Sequence, residues 1–433
     1  MRRQNICERA YAIGVMTPKQ HRFDSLESFQ ELKCLLSTAG AELLSEEFVD
    51  LKQFHSSTLF GHGKVESLAE KIRNLLPDLV VVDAELTPVQ NRNLEEAWGV
   101  RVLDRTGLIL DIFAQRAQSK EGKLQVELAQ YHYLFPRLIR AWTHLSKQRG
   151  GSIGLRGPGE TQLEVDRRRV RERITQLKKN LKRVSGTREI HRQKRRSEPL
   201  HTMSLIGYTN AGKSTLFNAL LRKEATSEDD QLFSTLDPKT RALKLPSGHK
   251  ILLSDTVGFI KNLPHQLIES FKSTFEEVAG SDLLIHVVDV GHPNRADRVQ
   301  TVDKVLEELG LNHIPVIKVL NKSDLLPIDT KDILQKEIRD SHVQMSALTG
   351  VGLEELKTVI EEKISENYYK TSTLFIPHTE ARVLNHLYTY GRVISFQALA
   401  EGNVVKVALP HKWENIYRHY QVHLDLTPEL AVV

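Results

Sequence analysis

The chain has 433 residues, of which 40% are hydrophobic and 27% charged, with a net charge of +5. This length exceeds what one hydrophobic core supports, and this composition excludes a disordered or fibrous chain, so we expect several globular units. The charged N-terminal residues, the lack of ~18 consecutive apolar residues and the presence of two cysteines, Cys7 and Cys34, predict a cytoplasmic protein without export signal, membrane span or disulfide framework.

Residues 1–120 are predicted to form a small open α/β domain, because apolar strands alternate with amphipathic helices. The predicted strands are 11–15, 79–82 and 100–103, and the predicted helices are 26–36 and 65–76. The short glycine motif at 61–64 precedes the second helix. It lacks the spacing of a phosphate-binding loop, so we interpret it as a turn and helix cap.

Residues 121–197 are predicted to form an antiparallel helical hairpin. Two apolar seams recur at steps of three and four residues, from Leu124 to Leu145 and from Leu163 to Val184. Pro136 lies inside the first seam and should kink or end that helix. The tip between the helices, residues 147–159, contains five glycines and three basic residues. We expect a flexible, cationic tip.

Residues 164–197 hold fourteen Lys or Arg side chains against four Asp or Glu, so the rest of the chain is net acidic. Charged residues often serve only to solvate a long helix, and this alternative stays open. Clusters of like charge repel each other unless a polyanion offsets the repulsion, however, which favours contact with nucleic acid. The predicted RNA contacts are Arg149, Arg156, Arg167, Arg168 and Arg169.

A phosphate loop is predicted at residues 207–215, which show the complete G-x-x-x-x-G-K-[ST] pattern between an apolar strand and a helix. Its amides would surround the α- and β-phosphates, Lys213 would reach the β/γ oxygens, and the Ser214 hydroxyl would bind Mg²⁺. The predicted contacts are Gly207, Tyr208, Thr209, Asn210, Ala211, Gly212, Lys213, Ser214 and Thr215.

Two further segments are predicted to sense the γ-phosphate. In the segment that we call switch I, residues 233–238, Thr235 is the preferred Mg²⁺ contact, ahead of Thr240 and Thr226. In switch II, residues 255–259, Asp255 would hold Mg²⁺ through water and the Gly258 amide would face the γ-phosphate. The predicted contacts are Phe233, Ser234, Thr235, Leu236, Asp237, Asp255, Thr256, Val257 and Gly258, with Lys213, Thr235 and Gly258 in catalysis.

Two later segments, which we call the guanine loops, are predicted to recognise the base. Asp324 can accept the N1 and N2 hydrogens of guanine, and adenine has neither, so GTP is favoured over ATP because a buried polar group would otherwise be unpaired. Asn321 would bond the major-groove edge, and the stem of Lys322 would lie along the ring. The amide of the second loop would bind O6. The predicted contacts are Asn321, Lys322, Ser323, Asp324, Ser346, Ala347 and Leu348.

These segments predict a P-loop GTPase domain over residues 198–368, with a mostly parallel sheet between helices. Residues 369–433 are predicted to form a small α+β domain, from strand 374–376, helix 380–390 and paired strands around 400–403. Trp413 and Tyr417 are interpreted as core residues. The fold class is therefore multidomain α/β, with the GTPase domain joined to an N-terminal α/β domain, a helical hairpin and a C-terminal α+β domain.

The chain closely resembles the HflX family of bacterial GTPases. The segments that carry the resemblance are 154–164, 166–169, 207–214, 233–238 and 255–259. The resemblance implies a cytoplasmic GTPase that binds GTP or GDP with Mg²⁺, contacts the large (50S) ribosomal subunit and its RNA, and splits stalled 70S ribosomes. An alternative is an assembly or hibernation factor that docks on the large subunit without splitting. We expect a monomer.

Phe259 and Asn210 qualify this expectation. Phe259 follows Gly258 where many switch GTPases have a glutamine that orients the attacking water, so we predict slow intrinsic hydrolysis that ribosomes stimulate. Asn210 resembles an asparagine that binds K⁺ near the phosphates in other GTPases, those with an apolar residue in place of that glutamine. The alternative, that Asn210 only stabilises the loop backbone, stays open.

Overall fold

The computed structural model describes residues 7–17, 22–141, 162–197, 201–221, 232–233, 235–248, 250–261, 272–326, 342–410 and 414–421. Within these residues, three β-sheets follow one another along the chain: a four-stranded parallel sheet, a six-stranded mostly parallel sheet and a three-stranded antiparallel sheet. This order confirms the predicted multidomain α/β fold.

The N-terminal sheet has the strand order β2-β1-β3-β4, with all pairs parallel. Its strands are β1 (Arg9–Met16), β2 (Glu42–Asp50), β3 (Leu79–Val82) and β4 (Arg101–Asp104). The helices are α1 (Arg22–Ala39), α2 (His62–Leu75), α3 (Pro88–Trp98) and α4 (Arg105–Arg116). All four residues of β3 are buried, as expected for a parallel strand covered on both faces.

Two long helices follow this sheet, α5 (Lys120–Ala141) and α6 (Gln162–Ser197). The helix α5 continues through Pro136, so of the two alternatives for this residue the helix end is wrong and the kink stays a prediction. The Arg173 guanidinium lies 2.6 Å from the Glu127 carboxylate, and Arg171 lies over the Phe135 ring, which joins the two helices. The predicted tip, with Arg149 and Arg156, lies outside the described residues.

The six-stranded sheet has the order β10-β9-β8-β5-β7-β6, and β6 is antiparallel to β7. Its strands are β5 (His201–Gly207), β6 (Lys239–Lys244), β7 (Lys250–Asp255), β8 (Leu283–Asp289), β9 (Val316–Asn321) and β10 (His342–Gln344). The helices are α7 (Lys213–Leu220), α8 (Lys272–Ala279), α9 (Arg295–Glu308) and α10 (Leu353–Tyr368). The phosphate loop, switch II and the guanine loops follow the carboxyl ends of its parallel strands, where such sheets bind ligands.

The C-terminal sheet consists of β11 (Tyr369–Pro377), β12 (Arg392–Ala398) and β13 (Gly402–Pro410), with α11 (Ala381–Tyr390) and α12 (Glu414–Tyr417). The turn from β12 to β13 is the predicted hairpin around residues 400–403. Tyr417 is 4% exposed, which confirms its interpretation as a core residue, whereas Trp413 lies outside the described residues. Across the described part of the chain, no helix has both the length and the apolar character that crossing a membrane requires.

The N-terminal and GTPase regions share one buried apolar cluster. It contains Phe29 of α1 and Phe113 of α4 together with Tyr208 of the phosphate loop, Phe233 of switch I and Phe259 of switch II. The rings of Phe113 and Phe233 meet edge to face, with centroids 4.7 Å apart, a preferred aromatic geometry. The first domain therefore packs directly on the segments predicted to bind nucleotide.

Candidate functional site

The phosphate loop connects β5 to α7 through two glycines that no other residue could replace without strain. Gly207 has φ 148°, and an added Cβ would lie 2.3 Å from the carbonyl oxygen of Val287. Gly212 has φ 89°, and its added Cβ would lie 2.2 Å from the Asn321 amide nitrogen. Glycine populates this left-handed region at little cost, so the backbone amides can form a concave phosphate cradle.

Lys213 is the first residue of α7 and is 6% exposed. Its ammonium donates to the carbonyl oxygens of Gly207 at 3.1 Å and Tyr208 at 2.7 Å. Burial lowers the pKa of Lys213 to about 8, against the opposing attraction of Asp255. A phosphate placed in the loop would bring further negative charge close to this buried ammonium.

Three oxygen-bearing side chains meet beside the lysine. The Ser214 and Thr235 hydroxyls each donate to Asp255 Oδ2 at 2.7 Å, and they lie 3.0 Å from each other. The second carboxylate oxygen of Asp255 is buried and has no hydrogen-bond partner among the described residues. Mg²⁺ prefers such hard oxygen ligands, so the donor set and the unpartnered oxygen fit a magnesium ion with its bound water.

The structure distinguishes among the three threonines considered for the switch contact. Thr235 is 4% exposed and lies at the oxygen cluster. Thr240 lies in β6, where its hydroxyl pairs with that of Ser254 at 2.8 Å. Thr226 lies outside the described residues, as does Ser234. Among the described candidates, the geometry therefore favours Thr235.

Switch II lies directly across the phosphate loop. The Phe259 amide donates to the Gly207 carbonyl at 3.0 Å, and the Thr209 amide donates to the Phe259 carbonyl at 2.7 Å. An added Cβ at Gly258 would lie 2.8 Å from the Lys213 ammonium, so this close approach requires glycine. The Phe259 side chain is 2% exposed and belongs to the interdomain cluster. Its ring is therefore directed away from the chemistry.

The remaining switch II side chains lie near the sheet. The Thr256 hydroxyl donates to the Leu205 carbonyl at 2.5 Å, and Val257 is buried in the interdomain cluster. Contacts of these two residues with nucleotide therefore depend on their backbone, and they stay predictions.

The guanine loops are joined to the phosphate loop by Asn321. Its Nδ2 donates to the Ala211 carbonyl at 2.9 Å, and its Oδ1 accepts from the Ala347 amide at 2.9 Å. The sequence predicted base contacts for Asn321 and for a backbone amide of the second guanine loop, but it gave no sign of the bond between Asn321 and the Ala347 amide. Asn321 is 2% exposed, so its buried hydrogen bonds hold the phosphate loop and the two guanine loops together.

The other residues of the guanine loops differ in burial and in the contacts of their side chains. Lys322 has φ 64°, and its ammonium lies 3.0 Å from the Asp289 carboxylate. Asp324 is exposed, whereas Ser323 and Ser346 are buried, and the Ser346 hydroxyl accepts from the Thr349 amide at 3.2 Å. Leu348 is 76% exposed. An exposed Asp324 is free to meet a base edge, and its role stays a prediction.

Switch I faces the N-terminal half of the chain as well as the nucleotide site. The side chains of Phe233 and Leu236 are 2% and 3% exposed and lie in the interdomain cluster. The Asp237 carboxylate accepts from the Gln118 and Ser119 amides at 2.8 and 2.6 Å. These residues were predicted to contact nucleotide. Because their side chains are directed to the N-terminal half of the chain, any such contact would come from their backbone and stays a prediction.

A buried polar network behind the phosphate loop was not predicted. The Tyr208 hydroxyl accepts from the Lys261 amide at 2.8 Å and pairs with Glu31, which is 8% exposed. Arg105 pairs with Glu31 and, at 2.9 Å, with Asp83. Burial, followed by the charge of Glu31, raises the pKa of Tyr208 well above its usual value, so the phenol stays neutral. The sequence signal was a set of charged residues inside apolar segments, which does not reveal their partners.

The basic surface lies on α6. Arg168 and Arg169 are exposed, and the Arg168 guanidinium lies 3.7 Å from Glu172, whereas Arg167 is half-buried. Arg149 and Arg156 lie outside the described residues. Exposed arginines on a helix that carries the chain's positive excess suit a polyanionic partner.

Three family models match consecutive parts of the chain. They are described as GTP-binding GTPase N-terminal for residues 26–114, GTP-binding GTPase Middle Region for residues 116–195 and 50S ribosome-binding GTPase for residues 202–322. The chain is 46% identical to the GTPase HflX of Magnetococcus marinus, over 89% of each chain. It is 44% identical to the GTPase HflX of Escherichia coli, over 84% of this chain and 85% of that protein.

The chain belongs to the HflX family of GTPases. It is therefore a GTP hydrolase with a nucleotide-binding domain of the ribosome-binding type. Among solved structures, a GTP-binding protein from Sulfolobus solfataricus in complex with GDP is 24% identical to it, with a TM-score of 0.43, over 83% of this chain and 99% of that chain.

In this HflX chain the glycine motif at 61–64 begins α2. Gly61 is the N-cap residue, and the helix already includes Lys64. The Lys64 ammonium lies 2.6 Å from a carboxylate oxygen of Glu47, and Lys71 lies 2.7 Å from the other oxygen. The lysine is thus engaged within the N-terminal domain, which supports the interpretation as a turn and cap.

Proposed function

We propose that this HflX GTPase binds the large ribosomal subunit in its GTP state and splits stalled or stressed 70S ribosomes, and that hydrolysis then lowers its affinity and releases it. The observation that carries the proposal is the position of α6. This basic helix packs on α5, and the segment that begins α5 bonds to switch I. A polyanion bound to the hairpin is therefore connected to the nucleotide site by direct contacts.

The proposed nucleotide is GTP or GDP with Mg²⁺. Ser214 and Thr235 would bind the ion directly and Asp255 through water, and the ion would neutralise developing charge on the phosphates. Asp324 and Asn321 would select guanine. Asn210 would be the K⁺ contact, or it would only stabilise the loop backbone. It is exposed with φ 59°, a conformation that asparagine tolerates better than most residues. Hydrolysis rates measured in K⁺ and in Na⁺ decide between the two roles.

We further propose slow intrinsic hydrolysis that the ribosome stimulates. The Phe259 ring carries no group that can orient water, and it is buried on the side of the N-terminal domain. A group from ribosomal RNA or protein would complete the site, while Lys213 and the Gly258 amide would bind the γ-phosphate. Fast turnover by the isolated protein, unchanged by added ribosomes, would contradict this part. We expect the protein to act as a monomer in the cytoplasm.

The experiment mixes 70S ribosomes with the protein and GTP, a non-hydrolysable GTP analogue or GDP, and follows the subunits by sedimentation. We expect 30S and 50S peaks with GTP and with the analogue, and protein retained on 50S only with the analogue. Intact 70S ribosomes that carry the protein in the presence of the analogue would support a docking factor instead.

Matched charge reversals test the hairpin. Arg168→Glu with Arg169→Glu should weaken ribosome binding without a change in GTP affinity, because α6 lies outside the nucleotide site. Arg241→Glu with Lys304→Glu reverses two exposed cations of the GTPase domain and serves as control. If both double variants bind ribosomes like the wild type, the basic helix does not bind the ribosome. If the α6 variant also loses GTP affinity, the hairpin has a structural role.

A further inference from the structure

Asp237 lies two residues after Thr235 but directs its carboxylate away from the phosphate loop. Oδ2 accepts from the Gln118 amide at 2.8 Å and from the Ser119 amide at 2.6 Å, and the Ser119 hydroxyl donates to Oδ1. Amide and hydroxyl donors to an ionised carboxylate form strong hydrogen bonds. Switch I is therefore attached to a segment more than a hundred positions earlier in the chain.

The segment that holds Asp237 is the start of α5. The Ser119 hydroxyl oxygen accepts from the Gly122 amide at 2.8 Å, which is the geometry of an N-cap. The Asp237 carboxylate thus lies at the positive end of the helix dipole. A Cβ added at Gly122 would lie 2.3 Å from Asp237 Oδ1, so the close approach depends on glycine.

The other part of α5 is fixed to the N-terminal domain. The Tyr133 hydroxyl donates to Asp104 Oδ1 at 2.8 Å, and the Arg137 guanidinium donates to Asp104 Oδ2 at 2.8 Å. Asp104 is fully buried at the start of α4. Since α5 also packs on α6, a displacement of the hairpin relative to the GTPase domain would act on Asp237.

We propose that Asp237 is a positioning residue that couples the helical hairpin to the magnesium ligand Thr235. With Asp237 bound to the first turn of α5, the Thr235 hydroxyl lies 3.0 Å from that of Ser214 and 2.7 Å from Asp255, the cluster that would hold Mg²⁺. The link prepares switch I for GTP, and by reciprocity GTP strengthens the link. This inference rests on the proposed role of the hairpin as the part that binds ribosomal RNA.

Gly122→Ala tests the link without a change in the GTPase domain. Alanine favours a helix more than glycine does, so α5 itself is not weakened, but the new methyl group displaces Asp237. Gly186→Ala in α6 is the matched control, because its added Cβ meets no atom within 4 Å. Ser119→Ala removes the hydroxyl from the link, and Ser119→Thr restores one.

The measurement is the affinity of the ribosome-free protein for GDP and for a fluorescent non-hydrolysable GTP analogue, both with Mg²⁺. We expect Gly122→Ala and Ser119→Ala to bind the analogue about tenfold more weakly with GDP affinity unchanged, a typical size for coupling between sites. Ser119→Thr and Gly186→Ala should match the wild type.

Two results would overturn the link: unchanged analogue affinity in both Gly122→Ala and Ser119→Ala, or equal weakening for GDP and the analogue, which would indicate general damage to the site. Thermal unfolding of each variant shows whether it is folded. Because no ribosome is present, a failure of the link is distinguishable from a failure of the proposed ribosome function, which the sedimentation experiment measures separately.

Discussion

Replacing Asn321 by aspartate should destabilise the GTPase domain even without nucleotide. Asn321 donates to the Ala211 carbonyl and accepts from the Ala347 amide, both at 2.9 Å, and is 2% exposed. Aspartate keeps the shape and the acceptor but places a carboxylate oxygen against the Ala211 oxygen. Leaving a buried hydrogen-bonding group unpaired costs about 1–3 kcal/mol, and a charged neighbour adds to this cost.

The assay is thermal unfolding of the nucleotide-free protein, together with GTP affinity. For a domain of this size, each kcal/mol lowers Tm by roughly 2–4 °C, so a cost of about 1–3 kcal/mol should lower the transition of this domain by roughly 2–12 °C. Asp324→Asn is the control: Asp324 is exposed, so this variant should keep its Tm and lose only affinity for guanine nucleotides. If Asn321→Asp has an unchanged Tm and a reduced GTP affinity, Asn321 does not stabilise the domain by joining the loops, and its role is base recognition only.

Three further outcomes can be measured on the same protein. Thr235→Ala should weaken binding of the GTP analogue with Mg²⁺ by about tenfold with little effect on GDP, and Thr235→Ser should retain binding because it keeps the hydroxyl. Burial lowers the pKa of His286 from 6.5 to about 3, so the neutral side chain stabilises the fold above pH 6.5 and this stabilisation is lost as the pH falls toward 3. In His286→Gln the free energy of unfolding should therefore change less between pH 6.5 and pH 3. The same pH dependence in the variant and the wild type would contradict this role of His286. Arg168→Glu with Arg169→Glu should reduce the salt dependence of ribosome binding, with the slope of log K against log salt falling by about one for each phosphate that is no longer neutralised, whereas an unchanged slope would exclude phosphate binding by these two residues.

The local parts of the candidate nucleotide site could be predicted because each depends on a few residues that are adjacent in the sequence. A glycine at position 212 followed by Lys213 and Ser214 predicts a turn, a helix start and an oxygen ligand within three residues. The structure places Gly212 at the N-cap and Lys213 first in α7, and it places the Ser214 hydroxyl beside Asp255. The helix α3 was missed although Thr87 and Gln90 form a capping box there, a signal that the sequence does contain.

The strand β2 was missed for a different reason. It is the edge strand of the N-terminal sheet, and Val49 alone among its nine residues is buried, so its sequence has neither an apolar run nor an alternating pattern. The contacts between distant segments could not be predicted at all. Asp237 and Ser119 each look like an ordinary turn residue, and nothing in either local pattern names the other.

The position of Phe259 connects the lack of a glutamine after Gly258 to the packing of the N-terminal domain on switch II. A glutamine at this position would have to leave the apolar cluster to meet the γ-phosphate, whereas phenylalanine stabilises that cluster together with Tyr208 and Phe113. The same replacement that removes a water-orienting group therefore attaches switch II to the N-terminal domain. Closely packed cores shift between discrete arrangements and do not deform continuously. A partner that displaces the N-terminal domain must therefore also move the switches, and under the proposed function a ribosome bound to that part of the chain would control hydrolysis.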